Sequence, residues 1–92
     1  MHVRRVHVVV HGIVQGVGFR YYTEQQAFSY QIKGWVRNVP DGTVEIDAEG
    51  NERNVERFLE AVKRGSRQAS VSKIEVSDIA EAGAHDSFRI RR

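Results

Sequence analysis

The chain has 92 residues, with 14 Lys and Arg against 12 Asp and Glu, four His, one Pro and no Cys. That length makes one domain, residues 1–92, because two would each be too small to build a core, and the missing Cys excludes a disulfide scaffold, a thiol nucleophile and Cys-ligated zinc or iron–sulfur centres. A net charge of +2 with both signs interleaved is not the dense footprint of a general nucleic-acid binder, and no apolar run approaches a membrane span.

In chain order, Val6, Val8 and Val10 alternate with His7, Val9 and His11, which predicts a strand centred on residues 6–10. This stretch behind Arg4 and Arg5 is too short for a signal-peptide core, so the cytoplasm is the expected compartment. A Gly-rich loop follows. Residues 20–31 lack Gly and Pro and predict a helix, with Thr23, Ala27 and Tyr30 on its buried face. After Gly34, Trp35, Val36 and Val39 mark a second strand. Pro40-Asp41-Gly42 is a turn by residue chemistry, because Pro presets φ and Gly permits positive φ. Residues 43–48 then alternate, Val44, Ile46 and Ala48 on one face and Thr43, Glu45 and Asp47 on the other, completing a hairpin that Gly50 ends. Asn51 is the expected N-cap of a second helix, whose stripe is Val55, Phe58, Leu59 and Val62 and which stops near Gly65. Ser66 to Ser70 is a polar loop, a fourth strand centres on Ile74 and Val76, and Phe88 with Ile90 marks a short fifth beyond Gly83. The order β-α-β-β-α-β predicts an α+β fold, the ferredoxin-like split βαβ sandwich, with a mixed sheet and both helices on one face.

The loop Gly12-Ile13-Val14-Gln15-Gly16-Val17-Gly18-Phe19-Arg20 is the first place for chemistry. Its glycines let successive N–H groups turn inward. The helix that follows adds free N–H groups and the positive end of its dipole, and Arg20 adds a planar, permanently charged guanidinium. Together they suit a phosphate or a carboxylate. The loop lacks the third glycine of a dinucleotide fingerprint and the Lys of a P-loop, and a tight strand-to-helix turn explains its composition equally well. The second place is Gly34-Trp35-Val36-Arg37-Asn38, where an Asn closes a strand. It either opens the turn at Pro40, the simpler explanation, or uses an amide that both donates and accepts to hold a water.

Other constellations are weak. His7 and His11 lie about 13 Å apart along one strand face, too far for one metal, and are expected to face solvent or pack. His2 and His85 sit near the ends without an evident partner. Asp41, Glu45 and Asp47 do not match a calcium loop. Glu52, Glu56 and Glu60 read as a solvated helix face, with Glu60 and Arg64 spaced to pair.

Taken together, the loop ending in Arg20, the Gly34–Asn38 segment and Asp41-Gly42-Thr43-Val44-Glu45 closely resemble the acylphosphatase family over essentially the whole chain. The resemblance implies an enzyme that hydrolyses the carboxyl–phosphate bond of acyl phosphates with no cofactor and no metal. It implies that Arg20 and the backbone of Gln15, Gly16, Val17, Gly18 and Phe19 bind the phosphoryl group, which inorganic phosphate or sulfate should also occupy, and that Asn38 positions the attacking water. A monomer is expected, with no nucleic-acid or membrane partner. The residues agree with such chemistry: a carboxylate is a good leaving group, so positioning and charge stabilisation suffice.

Two departures stand out. Gln31 replaces a helix-ending glycine common in the family, and Gly65-Ser66 replaces a common Gly-Pro; both bear on stability and element boundaries. Two other classes compete. One is an anion- or acyl-phosphate-binding module that lost turnover, or one that serves a larger assembly, since such domains also occur fused to carbamoyl-transfer maturation proteins; the presence of Arg20 and Asn38, and a chain that stops at Arg92, favour a free-standing enzyme. The other is an RNA-binding domain of similar topology, which the acidic face of Thr43, Glu45 and Asp47 disfavours.

Overall fold

The computed structural model describes residues 3–92 as β1 (Val3–Ile13), α1 (Phe19–Ser29), β2 (Lys33–Asn38), β3 (Val44–Asn51), α2 (Glu52–Arg64), β4 (Ser70–Ile79) and β5 (Phe88–Arg91). The five strands form one sheet in the order β4-β1-β3-β2-β5. β1 runs antiparallel to β3 and β4, β2 antiparallel to β3, and β5 parallel to β2, so the sheet is mixed. This is the ferredoxin-like split βαβ with an added edge strand. Among the described residues no helix is long and apolar enough to cross a membrane.

The period-two pattern decides which face is buried. Val6, Val8, Val10, Val36, Val44, Ile46 and Ala48 form one core with Phe19 and Ala27 of α1 and Val55, Phe58 and Val62 of α2. Both helices therefore cover one face. Full burial of a Val, Ile or Phe side chain is worth about 1.5–3 kcal/mol, so this stripe is the main source of stability. The second helix follows its sequence signals: the Asn51 side chain accepts from the Asn54 N–H at 3.0 Å, and the chain leaves the helix at Gly65. Among the described residues Glu60 and Arg64, spaced to pair, form no ion pair; the pairs found involve the strands and His85.

Several boundaries differ from the sequence reading. β1 runs from Val3 to Ile13 rather than over residues 6–10, because both its neighbours hydrogen-bond along most of its length. β2 ends at Asn38, leaving Val39 in the turn, and β3 continues through Gly50 to Asn51. α1 begins at Phe19 and ends at Ser29, short of Gln31. There the Ile32 N–H donates to the Ala27 carbonyl at 2.8 Å and the Gln31 N–H to the Phe28 carbonyl at 3.3 Å, the Schellman pattern, with Gln31 at φ 56. A left-handed residue other than Gly is strained by about 1–2 kcal/mol. Gln31→Gly is therefore expected to raise stability by about 1 kcal/mol and Tm by about 4–8 °C in a domain of this size. A melting curve checks this, and a lower Tm would show that the Gln31 side chain outweighs its backbone strain.

The open face of the sheet is a lattice of charge. His7 faces Glu45, His11 faces Glu75, and Arg37 also reaches Glu45. His85, expected to lack a partner, instead lies 2.9 Å from Asp47, whose other oxygen takes the Arg5 guanidinium at 2.9 Å. Asp47, on the acidic strand face read from the sequence, and Glu49 beyond it are both 4% exposed. The segment before β5 covers them, and the Gly83 and His85 N–H groups donate to Glu49. Burial pushes the Asp47 carboxyl up, but hydrogen bonds and charge from Arg5 and His85 outweigh it and hold it below its ordinary value. His2 lies outside the described residues.

Candidate active site

Strand register assembles one end of the sheet. Val10 pairs with Val44, Val44 with Asn38, and Arg37 with Arg91, while on the other side Ile13 pairs with Ser70. The start of β4, the end of β1, the start of β3 and the ends of β2 and β5 thus stand in a row. The loop 14–18 leaves from the middle of that row.

Gly16 and Gly18 both sit in the left-handed region, at φ 72 and 74, and Gly18 is the N-cap of α1 with no side-chain cap. A Cβ at either would meet nothing within 4 Å, so the backbone turn, not lack of space, is what requires Gly. The consequence is a curl of free donors. Among the described residues no backbone N–H from Gln15 to Phe19 is engaged by a backbone carbonyl. The first helical bond is from the Tyr22 N–H to the Gly18 carbonyl at 3.0 Å, which leaves the first turn of α1 open at its positive end.

Arg20 follows on the first turn of α1. Among the described residues it has no carboxylate partner, and its Nη1 donates to the Arg91 carbonyl of β5 at 3.2 Å. Asn38 shares the helix-side face of β2 with buried Val36. Its Oδ1 is buried and without a hydrogen-bond partner among the described residues. A buried amide oxygen left unpaired costs about 1–3 kcal/mol, so its persistence calls for an explanation.

Gly16, Gly18, Phe19, Arg20 and Asn38 all line one cleft of about 210 Å³, together with Val14, Tyr21 and Ile90. Val17 does not join them; it packs against the core and faces a neighbouring groove. The Gln15 side chain turns the other way. Its Nε2 donates to the Val39 and Thr43 carbonyls, each at 2.8 Å, and so ties the curl to the β2–β3 turn next to Asn38. That contact, and the Arg91 carbonyl on Arg20, escaped the sequence reading. They join residues 24, 28 and 71 positions apart, and no local pattern signals them. Gln15→Ala removes the second donor from each carbonyl, while the Gly42 N–H still reaches Val39 and the Val39 N–H still reaches Thr43, and is expected to lower stability by about 1 kcal/mol. The urea midpoint reads this out, and an unmoved midpoint would mean the clamp carries no energy.

Free N–H donors at a helix start beside a guanidinium are chemistry suited to a tetrahedral anion, and an amide-bearing residue shares their cleft. Comparison with known proteins places the chain in a family. The acylphosphatase family profile matches residues 6–90. The acylphosphatase of Geobacillus thermodenitrificans is 44% identical over 87 residues, covering 95% of this chain and 93% of that one. The crystal structure of the acylphosphatase from Bacillus subtilis superposes with a TM-score of 0.93 at 42% identity, covering 97% of this chain and 99% of that one. A full-length HypF, in its phosphate- and nucleotide-bound form, matches 99% of this chain over only 12% of its own length, with a TM-score of 0.86 and 28% identity. On this sequence and fold evidence, the chain belongs to the acylphosphatase family, enzymes that hydrolyse acyl phosphates.

Proposed function

We propose that the cleft between the loop 14–18 and the end of β2 is where the acyl phosphate is cleaved, by attack of a water on phosphorus without a metal or cofactor. The N–H groups of Gln15 to Phe19 and the Arg20 guanidinium bind the phosphoryl oxygens. The Asn38 Oδ1 accepts a proton-bearing O–H of the water and so turns a lone pair toward the phosphorus. The oxygen–phosphorus bond to the acyl group breaks as the new one forms. The acyl carboxylate leaves with that electron pair, and both water protons finish on the phosphate. No general acid is required, because a carboxylate with a pKa near 4–5 leaves unaided. Donors fixed before the reaction then supply the charge stabilisation. The observation that carries this reading is that Asn38 lines the same cleft as Arg20 and the glycine curl while its amide oxygen takes no hydrogen bond among the described residues. The reading takes the enzyme as a monomer acting in the cytoplasm.

The test is hydrolysis of benzoyl phosphate, with a phosphate monoester as control and a chelator in excess. Rapid cleavage of the acyl phosphate alone, undiminished by chelator and inhibited competitively by inorganic phosphate or sulfate, is expected. Loss of activity in chelator with recovery on adding magnesium or zinc would contradict the metal-free step.

A further inference from the structure

Beside the cleft lies a wider groove of about 800 Å³, between α1 and the loop that leads from α2 into β4. Gly18 and Tyr21 line both, so the two meet there. Val17, Tyr21 and Tyr22 give the groove apolar surface, and Arg64, Arg67 and Gln68 stand along its other side. Tyr21 is 63% exposed although it is large and aromatic. Neither arginine takes part in an ion pair among the described residues, while arginines on the sheet do.

Resting on the cleavage site proposed above, we infer that this groove is the subsite for the acyl group and favours acyl chains that end in a second anionic group. In-line displacement at phosphorus puts the leaving group opposite the incoming water. The water is held by Asn38, on β2. The strand order places β2 on one side of β1 and β4 on the other, so across the glycine curl the side away from Asn38 is the side of the 65–68 loop. The groove draws its lining from that loop, the two helices and Val17 and Gly18 of the curl, and takes no residue from β2 or β5. An acyl carboxylate departing in line therefore enters it. Its methylenes or ring lie on Val17 and the tyrosines, and a distal anion meets Arg64 and Arg67, whose planar guanidinium groups suit carboxylate or phosphate.

The experiment compares kcat/KM for the mono-acyl phosphates of succinic, glutaric and adipic acids with that for butyryl, pentanoyl and hexanoyl phosphate, in the full chain and in Arg64→Gln/Arg67→Gln. Each pair matches in length and differs in the terminal charge, so effects on the phosphoryl end cancel in the ratio. The expected result is a ratio above one for at least one chain length, falling about fivefold in the double variant, the scale of exposed ion pairs. Ratios at or below one at every length, or a ratio the double variant leaves unmoved, would overturn the subsite. Failure to cleave the alkanoyl phosphates at all would instead count against the cleavage site itself, so the two failures are distinguishable.

Discussion

Asn38→Ala is expected to fold, to bind inorganic phosphate nearly as tightly as the parent chain, and to lose about 10²–10³ in kcat. Removing one positioned group that acts on the transition state has that effect in other enzymes. An interaction made only there lowers kcat and kcat/KM together and leaves ground-state affinity alone. The alternative, that Asn38 serves the turn, makes the opposite forecast of a lower Tm and an unchanged kcat. The turn has other supports. The Val39 N–H donates to the Thr43 carbonyl at 2.9 Å and the Gly42 N–H to the Val39 carbonyl at 3.0 Å, while Asp41 accepts from the Thr43 N–H and hydroxyl. Among the described residues the buried Asn38 oxygen bonds to nothing, so its removal relieves an unsatisfied group, and Tm should hold or rise. Asn38→Asp should be no better than Ala, because a carboxylate repels the incoming phosphate.

Arg20→Lys is expected to fold normally and to lose on the order of 10² in kcat/KM, with phosphate inhibition weakened alongside. Lysine keeps the charge but not the planar fork, and a hydrogen bond between charged groups is worth about 1.5–3 kcal/mol. The contact from Arg20 to the Arg91 carbonyl at 3.2 Å is long and exposed, so little stability depends on it. The contrast between the variants is the informative part: both turn over poorly, but only the arginine variant binds phosphate weakly. Near-parental kcat/KM in Arg20→Lys would mean the curl is only a turn.

The strands and helices that form the core were readable because alternation and the 3.6-residue stripe report burial directly, as Val44, Ile46 and Ala48 or Val55, Phe58 and Val62 illustrate. The residues lining the cleft were readable only through the family resemblance, since Gly16 and Gly18 alone fit any tight turn. Three things stayed hidden, each for a physical reason. Asp47 alternates like a solvated strand residue, yet a segment more than thirty positions away brings His85 onto it. Gln15 has nothing local to announce that its amide reaches Val39 and Thr43. The outer parts of β1, polar at Arg4 and Arg5 and interrupted by Gly12, are held as strand by their neighbours' backbone rather than by their own pattern.

The central claim is that water attacks phosphorus in this cleft. Hydrolysis of benzoyl phosphate in ¹⁸O-labelled water tests it most directly, because the label records which bond breaks. The account predicts one labelled oxygen in the inorganic phosphate and none in the benzoate; label in the benzoate would place the attack at the carbonyl carbon and contradict it.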